Sequence, residues 1–96
     1  LMTPSVAVSP FEINQEVPPG SGMQDWEEWA PFSYPFNLSQ QPAASVPCGF
    51  TNEGLPVGFQ LAGGKFDDIR VLRACHAYME AYPPRFPSVP NPAQYA

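Results

Sequence analysis

Positive charge is scarce. Four Lys or Arg residues in 96, against nine Asp or Glu, give a formal charge of −5. Three of the four, Lys65, Arg70 and Arg73, lie close together around one helical stretch. A phosphate backbone would find no electrostatic footprint here, so nucleic acid is not expected as a direct partner. Cysteine is scarce too. Cys48 and Cys75 are too few to staple a secreted mini-domain. They read as free thiols in apolar surroundings, with a single bridge as the alternative. No apolar run approaches the roughly 20 residues that cross a bilayer, and no signal-peptide pattern opens the chain. The expected setting is therefore cytoplasmic, with no membrane partner.

The start also lacks Met. Leu1-Met2 leads directly into Thr3-Pro4, as though a strand were entered halfway. Domain boundaries fall in exposed polar linkers, so this start reads as a cut or gap in a longer chain.

What is abundant is proline, with 14 residues, beside an apolar fraction of 44%. The apolar content supports a core, whereas each Pro removes a backbone donor and fixes φ. Prolines concentrate at 4–35 and 83–92, which leaves the middle as the folding unit. Residues 1–8 read as the end of a buried strand running into an extended stretch. Residues 9–25, with Pro18-Pro19-Gly20, read as a surface loop. Trp26 and Trp29, at i, i+3 spacing, suit one short helical turn presenting both indoles to one side. Pro31 and Pro35 are expected to stop any helix, leaving PFSYPFN extended.

Two apolar runs, AASVPCGF and LPVGFQLAG, flank Thr51-Asn52-Glu53-Gly54 and predict a β-hairpin. Gly49 and Gly58 permit a bulge or a close backbone approach. Pro47 marks its strand as an edge. Both strands read as apolar on two faces, which calls for covering layers on either side. Residues 66–82 predict an amphipathic helix, with Asp67-Asp68 at its start and Pro83-Pro84 ending it. Its buried stripe is expected to hold Ile69, Leu72, Cys75, His76 and Met79, widened by Val71, Tyr78 and Tyr82. The tail, 83–96, is expected to run over a larger surface with Phe86 and Val89 as anchors. A hairpin and one helix bury too little for such a chain to fold well alone. The missing layer must come from elsewhere in a parent chain or from a partner.

Residue by residue, the candidates for chemistry fall away. Cys75 and His76 are helix neighbours pointing about 100° apart, which does not make a nucleophilic pair, and His76 reads as a buried or half-buried structural residue. Two Cys and one His lack the number and spacing for zinc. Cys48 lies in an apolar strand that would raise its pKa, so it reads as core. Asp25, Glu27 and Glu28 are adjacent in a loop rather than facing each other across a cleft, as a glycosidase pair would. Gly63-Gly64-Lys65 lacks the rest of a phosphate loop and is followed by two acids. Asn37-Leu38-Ser39 matches a glycosylation acceptor, a pattern short enough to be incidental.

The run PFNLSQQPAASVPCGFTNEGLPVGFQLAGGKFDDIRVLRACHAYME, from Pro35 to Glu80, resembles the C-terminal part of amidase-signature enzymes. Their pattern is Pro-x-Asn-Leu-x-Gly-x-Pro-Ala, a strand ending Val-Pro-Cys-Gly, Gly-Leu-Pro-Val-Gly-x-Gln-x-x-Gly, then Phe-Asp and a helix. LMTPS at the start fits the family's Leu-x-Thr-Pro strand end. Gln40 departs from the pattern, standing where many members have Gly.

The resemblance implies an α/β fold: a large α/β/α sandwich around a mixed central sheet. Residues 1–96 would be the C-terminal part of a single domain, divided into strand end and loop (1–36), hairpin and helix (37–82) and Pro-rich tail (83–96). It implies a serine amidase hydrolysing carboxamide C–N bonds, with a serine nucleophile, a bridging serine in a cis peptide and a lysine base. Those residues belong to a Gly/Ser-rich signature and a lysine strand N-terminal to this chain, so no catalytic residue is assigned here and the chain alone is expected to be inactive. No cofactor and no metal are implied. The implied partners are the N-terminal catalytic part of the same protein and a small amide substrate. In related glutamine-dependent tRNA amidotransferases an acid near the place of Ala30 holds the substrate's amino group. Its absence here weakens that reading, and an apolar wall of Trp26, Trp29 and Phe32 suits an aryl or alkyl amide. The alternatives are that these aromatics only pack the loop, that the chain is a non-catalytic scaffold, or that it belongs to the A subunit of a glutamine-dependent tRNA amidotransferase.

Overall fold

A computed structural model describes residues 1–86. Its frame is a three-stranded antiparallel sheet in the order β1-β3-β2, from β1 (Met2–Pro4), β2 (Ala43–Phe50) and β3 (Pro56–Ala62). β2 and β3 form the expected hairpin. Gly54, at φ 84°, takes the left-handed turn position that an L side chain would resist. Thr51 closes the loop from both ends: its N–H donates to the Leu55 carbonyl at 2.8 Å, and its Oγ1 accepts from the Leu55 N–H at 3.1 Å. Opposite Val57 and Gly58 the register slips between Pro47 and Gly49, so Cys48 is the extra residue of a bulge. β2 is an edge strand, which accommodates Pro47.

The pairing register makes the two sheet faces unlike. Ala44, Val46, Phe59 and Leu61 share one face, and Ser45, Gln60 and Thr3 share the other. The apolar face receives α2 (Asp68–Ala81). Val46, Val71 and Cys75 form the buried centre, flanked by Ala44, Phe59, Leu61, Tyr78 and Met79. Phe59 meets Tyr78 edge-on with ring centroids 4.6 Å apart. α2 ends where Tyr82 caps it, with its N–H on the Tyr78 carbonyl, ahead of Pro83-Pro84.

The buried stripe of α2 is rotated from the expected one. Val71, Cys75, Tyr78 and Met79 face the sheet, while Ile69, Leu72 and Tyr82 stand exposed. His76 is exposed as well, pairing with Glu80 at 3.4 Å across one helical turn. Apolar residues nearly encircle this helix, so its periodicity fits two stripes, and the sheet selects the one with Val71. Cys48 is also exposed, because the bulge lifts it out of the ladder, whereas Cys75 is buried; both are free thiols.

Residues 26–39 differ in a second way. The Trp pair does form a 3-10 turn, Trp26–Trp29, capped by the Asp25 carboxylate on the Glu27 N–H at 3.0 Å. PFSYPFN, however, is not extended. A short helix α1 spans Tyr34–Ser39 with Pro35 in its first turn. There the missing N–H costs nothing, since first-turn donors have no partner inside the helix. Gln40 then closes α1 in the left-handed conformation at φ 57°, a conformation that glycine adopts without strain. Leu1 and Met2 are exposed rather than buried, and so is Phe86. Val89 lies outside the described residues.

Candidate functional site

The chain leaving β1 and the loop end of the hairpin build a hollow. The Ser5 N–H donates to the Gly58 carbonyl at 3.2 Å, so the chain leaving β1 stays beside β3 before turning outward. Gly58 lets the two approach. A Cβ there would lie 3.1 Å from both the Ser45 and Ser5 hydroxyl oxygens, which are hydrogen-bonded to each other. Residues 5–11 then form one wall, and Thr51 with Pro56, Val57 and Gly58 the other. The space between them, half-open to solvent, is about 490 Å³.

Trp29 completes it. Its indole N–H donates to the Glu16 carbonyl at 2.8 Å, and its ring meets Phe11 edge-on at 5.8 Å. These contacts fix a half-buried aromatic face beside the hollow. Trp26 and Phe32 do not line this space. Trp26 is exposed, and Phe32 serves through its backbone, whose carbonyl accepts from Gln60 Nε2 at 2.8 Å. Gln60 also donates to Thr3 Oγ1, tying β3 to β1 and to the loop after Trp29. Ala30 is buried directly behind Trp29 in sequence.

The chemistry-bearing side chains do not converge here. Lys65 donates to Gln40 Oε1 at 2.8 Å and lies over the Phe66 ring. Glu28 accepts from the Gln24 N–H, and Asp67 pairs with Arg70 on the surface. Among the described residues no group of three or more His, Cys, Asp or Glu is placed to hold a metal ion. Among them, too, no helix is long and apolar enough to cross a membrane. The hollow itself was not legible in the sequence, since residues 5–11 and 56–58 meet only through the β1–β3 pairing.

A family model described as Amidase matches residues 1–72. The chain is similar to a protein of Myxococcus xanthus named as the A subunit of glutamyl-tRNA(Gln) amidotransferase. The two are 38% identical over 78 residues, covering 81% of this chain and 15% of that protein. Proteins of the same name from Brevibacillus brevis and Oceanobacillus iheyensis are 57% identical over 44 residues and 49% identical over 47. These matches cover 46% and 49% of this chain, and 9% and 10% of those proteins. The chain thus spans only about a tenth to a seventh of the length of these curated relatives. No solved structure matches it. The family match runs through β1, the Trp turn, the hairpin and the first turn of α2, and the chain belongs to the amidase-signature family.

Proposed function

We propose that this chain is a structural and cleft-lining C-terminal segment of an enzyme acting on carboxamide C–N bonds. Its division is a strand end and loop (1–36), a hairpin and helix (37–82) and a Pro-rich tail (83–96). In this reading a serine attacks the amide carbonyl, amine or ammonia leaves, and water releases the acyl group from the serine. The nucleophile and its base are supplied by the N-terminal part of the same protein, and this segment completes the sheet and one wall of the substrate cleft. The observation that carries the reading is the family match over residues 1–72, in a unit where Lys65 bonds Gln40, His76 pairs with Glu80 on the surface and both thiols are free.

Packing supports it. Val46, Val71 and Cys75 make a small buried centre under α2, while Phe66, Ile69, Leu72 and Leu38 stand in solvent. So much uncovered apolar surface suits a unit that packs against further layers. Trp26, Trp29 and Phe32 remain the substrate-proximal set, with Trp29 the member that lines a hollow. The protein acts in the cytoplasm, on a small amide.

A second reading is favoured by the relatives' names, which are those of a tRNA amidotransferase component. Against it stands Ala30, buried at the place where the resemblance calls for an acid. The two separate by assay of the assembled enzyme. Hydrolysis of simple aryl or alkyl amides without transamidation supports the amidase. Glutaminase activity coupled to transamidation of a charged tRNA supports the amidotransferase and overturns the amidase.

A further inference from the structure

The segment that carries Trp29 is tied to the sheet through one side chain. Trp29 bonds the Glu16 carbonyl and meets Phe11, but both partners belong to the same excursion between β1 and α1. Among the described residues, one hydrogen bond joins residues 26–39 to a strand: Gln60 Nε2 donates to the Phe32 carbonyl at 2.8 Å. Successive turns carry that anchor back to the Trp turn. The Ser33 N–H donates to the Ala30 carbonyl at 3.1 Å, and the Ala30 N–H to the Glu27 carbonyl at 3.2 Å.

The direction of these bonds is forced. A carbonyl only accepts, so the Gln60 amide must turn its nitrogen toward Phe32. Thr3 gives its single hydroxyl hydrogen to the Pro4 carbonyl at 3.0 Å, so its Oγ1 accepts the second Gln60 N–H, at 3.1 Å. Gln60 thus stands half-buried in the middle strand, opposite Thr3 and Ser45, with both donors of its nitrogen spent. We infer that Gln60 is a positioning residue: it sets where the Trp29 segment stands relative to the sheet, and through it how tightly the amide substrate is held. The inference rests on the proposed cleft-lining role of that segment and deepens it by naming the side chain that holds the wall in place.

The test is steady-state hydrolysis by the assembled enzyme, this chain together with the N-terminal part that carries the serine. Phenylacetamide and glutamine are the probes, since between them they cover both functional readings. Gln60→Met, similar in size but without donors, should raise KM roughly three- to tenfold with kcat held within about twofold. Gln60→Glu should raise KM further, because its carboxylate faces two acceptors, the Phe32 carbonyl and Thr3 Oγ1. Partial unfolding cannot mimic this pattern. It lowers the active concentration, and so the apparent kcat, while leaving KM where it was. An unchanged KM in both variants, or a fall in kcat alone, overturns the inference and leaves the functional reading standing on the turnover of the wild type. Turnover of neither amide by the wild type removes both.

Discussion

A Cβ on Gly63 would lie 2.7 Å from Val71 Cγ2, closer than real Cβ contacts allow. Gly63 is therefore the point where the end of β3 lets α2 down onto the sheet. Around it the Pro42 carbonyl accepts the Gly63 N–H at 3.0 Å, and Gln41 Nε2 donates to the Gly63 carbonyl at 2.9 Å. The backbone is held and cannot retreat from an added methyl. Gly63→Ala should cost about 1–3 kcal/mol, the usual range for overpacking. Chemical denaturation checks it, and adding Val71→Ala should recover part of the loss. Additive losses in the double variant would mean the two residues do not touch.

Gln60 reads the integrity of the Trp29 region. It spans from β3 to Thr3 and to the Phe32 carbonyl. Gln60→Leu removes both bonds and leaves the carbonyl to water, at about 1–2 kcal/mol. Faster amide hydrogen exchange across residues 26–36 is the expected local signature. Unchanged exchange there would show that the loop is held by other contacts.

The two thiols give a simple fold test. Cys48 is exposed on its bulge and Cys75 is buried under β2. In the native chain a water-soluble disulfide reagent should titrate one thiol quickly, and two after denaturation. Cys48→Ser should abolish the fast phase and Cys75→Ser should leave it.

His76 tests the absence of catalysis from this segment. It is exposed and pairs with Glu80 on an exposed helix face. Surface pairs of this kind contribute about 0.5 kcal/mol or less. His76→Ala should leave stability within that margin and leave amide hydrolysis by the assembled enzyme unchanged. A large fall in kcat would place the imidazole in the reaction and contradict the proposed division of labour.

The hairpin, its turn and the extent of α2 were legible because each has a local signature: Thr51–Gly54 between two apolar runs, and Pro83-Pro84 after a helical run. Gly49 and Gly58 were legible as places for a bulge or a close approach, but which of the two each would serve was not. The orientation of α2 was not, because Ile69, Val71, Leu72, Cys75, Tyr78 and Met79 fit a 3.6-residue period in two ways. α1 was hidden by Pro35, which reads as a breaker unless its place in the first turn is known. The exposure of Cys48 depends on a one-residue register slip, a property of two strands and not of one. At the candidate site the Trp spacing was visible, while the hollow needed the pairing of residues far apart in the sequence.

The central claim is that this chain shapes an amidase but does not perform its chemistry. The direct measurement is amide hydrolysis by the 96-residue chain alone, by an N-terminal amidase portion carrying the serine and lysine alone, and by the two together. The account predicts no hydrolysis by this chain and hydrolysis on combination. Turnover by the isolated chain, or an assembly with no serine-reactive amide chemistry, would contradict it.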